Sequence, residues 1–453
     1  MRPQLTLPIL AEIIQPVQTV LSEDWKAKTV TDINTDTRTI QPGDVFFALA
    51  GERFDGHNFV DKALQSGAIA VVLQRDCSTE IPDHIPQFYV KNTLTAYQQI
   101  AHWWRQQLSI PVIGITGSVG KTTTKELIAG VLSQYGKVLK TEGNNNNEIG
   151  VPKTLLRLTS DYDYAVVEMA MRAKGEIAEL TDIAQPTIGL ITNVGTAHIG
   201  RLGSRQAIAE AKCELLAHMP DTATAILNQD NPRLMATAAT VWEGKTLTYG
   251  LEGGDLHGQF LDAETIAVGD FKFPLPLPGT HNASNYLAAI AVAYALNLDL
   301  TALQTGIEVT LPGARSRRYS LPNDIVLLDE TYNAGVESMI AGLQLLKNTP
   351  GDRHIAVLGT MKELGDQSAA LHRQVGETVA KLNLDYLFVL ADDPETQEMA
   401  AAANSVKTEC FQDKHELVQR LSEILAPRDR VLFKASNSVG LDQVLDQLRQ
   451  RIS

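Results

Sequence analysis

The stretch Gly114-Ile115-Thr116-Gly117-Ser118-Val119-Gly120-Lys121-Thr122-Thr123 is where the residue types of this chain most directly spell a chemistry. It follows an apolar run, Ile110 to Ile115, and opens an amphipathic run with Leu127, Ile128, Val131, Leu132 and Tyr135 on one face. The pattern reads strand, glycine loop, helix. Backbone N–H groups of such a loop converge with a helix N-terminus on one point, where a phosphate sits. Gly117, Ser118, Val119, Gly120 and Thr123 would form the cradle, Lys121 would reach the β- and γ-phosphates, and Thr122 would hold Mg²⁺. One position departs from the usual phosphate-loop spacing: Ile115 stands where a glycine is expected, and the glycines recur at 114, 117 and 120. A glycine-rich turn with a surface lysine is the plain alternative. The flanking strand and helix favour a nucleotide, ATP.

Such a site needs metal ligands and further charge. Glu168 ends the apolar strand Tyr164–Val167, on the edge where parallel sheets place their sites, and a carboxylate there suits Mg²⁺. His198, in Asn193-Val194-Gly195-Thr196-Ala197-His198, follows the next apolar strand, Thr187–Thr192. Its position allows a metal ligand or a packed histidine. Lys212 lies among Glu210 and Glu214 on a helix opening at Ser204, and by pattern alone it is a solvated helix lysine. Asp36-Thr37-Arg38 and Gly51-Glu52-Arg53-Phe54-Asp55-Gly56-His57 are polar turns that read equally as anion sites or as turn chemistry.

The elements that must position these groups fall into three regions, as the length of 453 residues leads one to expect. Residues 1–110 mix short strands (Asp44–Leu49, Ala68–Leu73, Gln87–Lys91) with helices. The last helix carries Tyr97, Ile100, Ala101, Trp104 and Leu108 at core spacing. Residues 111–312 alternate buried strands of a mostly parallel sheet with helices, including one over His281–Leu296. Residues 313–453 begin at the Pro312-Gly313 break. They run strand Asp324–Asp329, helix Val336–Leu346, strand His354–Leu358, helix Ser368–Leu382, strand Tyr386–Leu390, then helices and a last strand Arg430–Lys434. That alternation predicts a Rossmann-like α/β domain.

Bulk properties narrow the function. A net charge of −14 argues against a nucleic-acid surface, so local positive charge must receive any anionic substrate. No apolar run approaches the roughly 18 residues of a membrane span, and the N-terminus does not read as a signal peptide. Cys77, Cys213 and Cys410 are too widely spaced for a disulfide framework or a zinc cluster. A reducing cytoplasm is the expected home.

Together these segments resemble the Mur ligase family, ATP-dependent amide-forming enzymes of peptidoglycan synthesis, over nearly the whole chain. Four stretches point to the branch that adds D-alanyl-D-alanine to UDP-N-acetylmuramoyl-tripeptide: Asp36-Thr37-Arg38 with Pro42–Leu49, Gly143–Pro152 with its run Asn144 to Asn147, Glu330-Thr331-Tyr332-Asn333-Ala334, and Met361-Lys362-Glu363-Leu364-Gly365. The resemblance implies three α/β domains: a small one for the UDP-sugar peptide, a central phosphate-loop ATPase domain, and a Rossmann-like domain that closes over the site. It assigns Thr37 and Arg38 to the UDP-linked substrate. Asn146, Asn147 and Asn333 go to the substrate side, and Glu168 and His198 to two Mg²⁺ ions. Asn282 meets the adenine; Asp329 and Tyr332 approach ATP. Lys212 becomes a carbamylated lysine that joins the metal ligands. Lys121, Glu168, His198 and Lys212 thus carry the catalysis, in a monomer.

The chain departs from the family in three places. Ala170 replaces a common glycine after Glu168-Met169. The start of the third region reads Gly313-Ala314-Arg315-Ser316-Arg317-Arg318, with Arg315 and Arg318 both candidates for the nucleotide. Lys434-Ala435-Ser436-Asn437 lacks a common arginine. Rival expectations are a sister or folylpolyglutamate-type ligase, and a homologue that binds nucleotide without turnover.

Overall fold

The computed structural model describes residues 2–21, 24–51, 54–75, 80–313, 317–391 and 393–452. Three sheets organise the chain. The first has the order β1-β5-β4-β3-β2 from β1 (Gln18–Val20), β2 (Ile33–Asn34), β3 (Val45–Phe47), β4 (Ala70–Leu73) and β5 (Gln87–Tyr89). Only the β1–β5 pair is antiparallel. The helix Thr93–Gln106 leaves this sheet, capped by the Asn92 side chain, which accepts from Thr95 N at 3.0 Å. It buries Tyr97, Ile100, Ala101 and Trp104. Trp104 Nε1 donates to Leu158 O at 2.9 Å and Arg105 Nε to Ala184 O at 3.1 Å, fastening the first domain to the second.

The central sheet comprises β6 (Val112–Thr116), β7 (Val138–Lys140), β8 (Tyr164–Glu168), β9 (Ile188–Ile191), β10 (Thr224–Asn228), β11 (Lys245–Gly250), β12 (Leu256–Phe260), β13 (Thr265–Val268) and β14 (Phe271–Pro274). Their order is β14-β13-β12-β11-β10-β9-β6-β8-β7. β6 to β12 run parallel, and β12–β13–β14 form an antiparallel extension. β6, β8, β9 and β10 are apolar and buried almost throughout, as strands covered on both faces must be. The helices Lys121–Leu132 and Thr280–Ala295 cover one face together. The first ends at Leu132, so Tyr135 lies past it.

The third sheet has the order β15-β16-β20-β17-β18-β19, from β15 (Arg317–Leu321), β16 (Ile325–Asp329), β17 (Arg353–Leu358), β18 (Tyr386–Leu390), β19 (Lys407–Phe411) and β20 (Asp429–Lys434). All pairs but β15–β16 are parallel. Sequence periodicity found neither edge strand. β15 and β19 are short and half exposed, so they lack the apolar run that marked the buried strands. The antiparallel β12–β14 edge escaped for the same reason.

Candidate functional site

β6 has β9 on one side and β8 on the other, and this reversal of strand order opens a crevice at their C-terminal ends. Register sets the site: Ile115 pairs with Glu168, and Thr116 with Ile191. The loop 117–120, the Glu168 carboxylate and the segment 193–198 therefore leave the sheet side by side. Gly117 is required by space, because a Cβ there would lie 1.9 Å from Thr192 Oγ1. Gly120 has φ +83° and caps the helix Lys121–Leu132 with no side chain, leaving that helix's first N–H groups to face the crevice. Ser118 N donates to Asn193 O and Val119 N to Asn193 Oδ1, both at 3.0 Å, so the β9 segment braces the loop. Lys121 Nζ folds back to Gly117 O at 2.8 Å. Gly114, the first of the recurring glycines, belongs to β6 rather than to the loop.

The crevice is a cavity of about 560 Å³. Its central-domain wall includes Ser118 to Thr123, Asn146, Glu168, His198 and Asn282. Its opposite wall comes from the C-terminal edge of the third sheet: Glu330, Tyr332, Asn333, Lys362, Glu363 and Lys434. Two sheet edges from two domains thus enclose one site.

Glu168 is 2% exposed. A solvated strand-end carboxylate is excluded. Asn146 Nδ2 donates to Oε1 at 2.8 Å, whereas among the described residues Oε2 accepts no hydrogen bond and has Lys125 Nζ at 3.9 Å. A buried carboxylate oxygen left without a donor beside a phosphate loop fits a hard divalent cation. Lys125, fully buried, donates to Thr141 O at 2.8 Å and pairs with Glu126 Oε1 at 3.1 Å. Sequence reasoning missed it, since a Lys-Glu pair on a helix ordinarily reads as a solvated face.

Lys212 corrects the pattern-based expectation more sharply. It is 1% exposed, and no hydrogen bond or ion pair holds its ammonium among the described residues. Burial, and then the nearby Lys121 charge, push its pKa well below the ordinary lysine range. A downward shift of this kind favours the unprotonated amine, the form that carbamylation needs. His198 has left-handed backbone (φ +66°), and its Nδ1 lies 2.7 Å from Glu363 Oε2. Burial, then the Lys121 charge, lowers its pKa.

Other expected residues are placed less centrally. Asp329 is buried but spends its carboxylate on Thr331 N and Oγ1, at 3.1 and 2.7 Å, and it does not line the cavity. Burial raises its pKa. Arg318 is likewise off the wall, and Arg315 lies outside the described residues. Asn147 is used by Gly150 N at 3.0 Å. Thr37 and Arg38 stand apart from the cavity. Arg38, 81% exposed, clamps Asp36, whose pKa falls to about 2 through that hydrogen bond. His57 serves the fold by bonding Asp55 at 2.6 Å and accepting from Gln74 N at 3.1 Å; Glu52, Arg53 and Cys77 lie outside the described residues. Tyr332 and Asn333 do line the cavity, and Lys434, 3.0 Å from Asn333 O, supports the latter.

A phosphate loop completed by the edge of a second α/β domain defines a class: three-domain enzymes that use a nucleotide across an interdomain cleft. Models of the Mur ligase family, catalytic domain, the Mur ligase middle domain, and the Mur ligase, glutamate ligase domain match residues 29–108, 115–293 and 315–437. The chain belongs to the Mur ligase family. It is 61% identical to the UDP-N-acetylmuramoyl-tripeptide–D-alanyl-D-alanine ligase of a Synechocystis strain, over 95% of this chain and 94% of that one. It is similar to a crystal structure of MurF from Acinetobacter baumannii, with TM-score 0.88, 31% identity and 99% of each chain covered. MurF from Thermotoga maritima in complex with ADP superposes with TM-score 0.82 at 30% identity, covering 93% of this chain and 97% of that one.

Proposed function

We propose that this chain joins D-alanyl-D-alanine to UDP-N-acetylmuramoyl-tripeptide through an acyl phosphate, with ATP as phosphoryl donor. The labour divides over residues 1–110 for the UDP-linked acid, 111–312 for ATP and 313–453 for closure. The observation that carries the reading is the single cavity between a phosphate loop and the third sheet's edge.

A carboxylate does not condense with an amine unaided, because its oxygen leaves poorly. Transfer of the γ-phosphoryl group to the tripeptide's terminal carboxylate, with departure of ADP, supplies a leaving group. The dipeptide amine then attacks the acyl carbon, loses a proton, and expels phosphate to leave the amide. Donor and acceptor in the first step are both anions. The loop N–H groups and Lys121 bind the phosphates and neutralise that approach. Two Mg²⁺ ions, when bound, would supply further charge neutralisation; Thr122, Glu168, His198 and carbamylated Lys212 would hold them. Asn146 orients Glu168, Asn282 would meet the adenine, and Tyr332 and Asn333 close the far wall. Lys362 and Lys434 supply positive charge on the acceptor side, where the expected arginine is missing. Docking of the third domain keeps water from the acyl phosphate.

The reading is of a monomer, and the charged soluble substrates set the reaction in the cytoplasm. No helix among the described residues is long and apolar enough to cross a membrane. The test mixes enzyme, Mg·ATP and D-alanyl-D-alanine with UDP-tripeptides ending in diaminopimelate or lysine, then weighs the products. A new amide with ADP release is expected. Amide formation only with single amino acids or glutamyl acceptors would overturn the reading in favour of a sister ligase.

A further inference from the structure

Glu363 lies in the motif Met361 to Gly365, of which only Lys362 has so far been given a task. Its side chain crosses from the third domain to the loop that follows β9. Glu363 Oε2 is 2.7 Å from His198 Nδ1, and Arg201 Nη2 holds Oε1 at 3.2 Å, so both carboxylate oxygens are used. The backbones also join: Gly200 N donates to Glu363 O at 3.1 Å. A Cβ at Gly200 would stand 2.5 Å from Gly365 N, so the two loops touch with no space for a side chain. Within the third domain the motif is pinned from behind. His372 Nε2 accepts from Met361 N at 3.0 Å, and Ser436 Oγ accepts from Lys362 N at 2.9 Å.

His198 and Glu363, the bonded pair, both have left-handed backbone, with φ of +66° and +64°. Such conformations are uncommon outside glycine and persist where surrounding contacts enforce them. An ionised carboxylate has no proton to give, so Nδ1 must be the donor in this bond. A neutral ring that donates from Nδ1 presents a lone pair at Nε2. Nε2 has no hydrogen-bond partner among the described residues, and His198 lines the cavity. A carboxylate behind a metal-binding histidine orients the ring and fixes its tautomer in this way. Here that carboxylate comes from another domain.

We propose that Glu363 is a positioning residue: from the third domain it fixes the His198 ring with Nδ1–H toward itself and Nε2 toward the cavity, so the histidine is aligned only while that domain is docked. The proposal rests on the function given above and ties completion of the cation site to domain closure. The rival account makes Glu363 a partly exposed ion pair of little weight.

The test uses full-length, nucleotide-free protein labelled with ¹⁵N-histidine, with the His198 signal assigned by its loss in His198→Gln. The wild type is expected to show the Nδ1–H tautomer. Glu363→Ala moves it to the Nε2–H form, and Glu363→Gln, which keeps an acceptor, retains the original. Glu363→Met, similar in length but without an acceptor, repeats the measurement if the alanine variant loses its fold. In turnover, Glu363→Ala raises the Mg²⁺ concentration for half-maximal rate by about 10- to 100-fold, with KM for the UDP-peptide unchanged. An unaltered tautomer, or a loss of rate with unaltered Mg²⁺ dependence, overturns the proposal. The tautomer is read without catalysis, so failure of the ligase reading shows separately, as a wild type that forms no amide.

Discussion

Lys121 and Lys212 carry the same side chain near enough for one charge to act on the other, and the fold treats them in opposite ways. Lys121 follows the phosphate loop and lines the cavity, its ammonium bonded to Gly117 O at 2.8 Å. Replacing it with alanine is expected to lower product formation by at least about a hundredfold, the scale of losing one preorganised charge contact. Binding of the UDP-peptide, measured by calorimetry, should persist. Lys212 is buried without a counter-charge, so its pKa is lower in the folded chain than in the unfolded one. Below the folded pKa both states are protonated and folding bears the full burial penalty. The penalty falls as pH rises from the folded toward the unfolded value and vanishes above that. Lys212→Met should therefore stabilise the helix Arg205–His218 by on the order of 1 kcal/mol or more at neutral pH. Hydrogen exchange in CO₂-depleted buffer reads this gain, which should fade toward alkaline pH, and turnover should be lost.

At the scale of elements, the helix Lys121–Leu132 does more than present a loop. Lys125 points from it into the sheet and joins the end of β7 to Glu168 at the end of β8 through Thr141 O, while Glu126 also pairs with Lys140. Removing one partner of a buried pair leaves an uncompensated charge, costing about 3–5 kcal/mol. Lys125→Met is expected to destabilise the central domain by about that amount in urea titration, whereas Lys140→Met, at a half-exposed site, should cost under about 1 kcal/mol. Periodicity revealed these elements because their strands are continuous apolar runs. It concealed β15 and β19, whose edge positions ask for no such run.

At the scale of the molecule, Glu337 and Glu363 reach from the third domain to the central one. Glu337 accepts from Thr196 N and Oγ1, both at 2.9 Å, and Glu363 holds the His198 loop. These contacts lie on the loop that also braces the phosphate cradle, so docking and nucleotide binding share a structural element. Glu337→Ala should loosen docking. Small-angle scattering is expected to show a larger radius of gyration, and kinetics a lower kcat with KM for the UDP-peptide unchanged. An unchanged scattering profile would show that Glu337 does not govern closure.

The sequence by itself determined the phosphate loop, the parallel strands that lead into the site and the family, because short-range patterns and local backbone needs fix these. It named Glu168, His198 and Lys212, but pattern alone favoured a metal only for Glu168, left His198 open and read Lys212 as solvated. Tertiary structure decided that Glu168 and Lys212 are buried, that Asp329 turns to Thr331 rather than to the cavity, and that Lys125 approaches Glu168 and Glu363 meets His198. Burial and cross-domain contact depend on residues far apart in the chain, which spacing along the sequence does not encode.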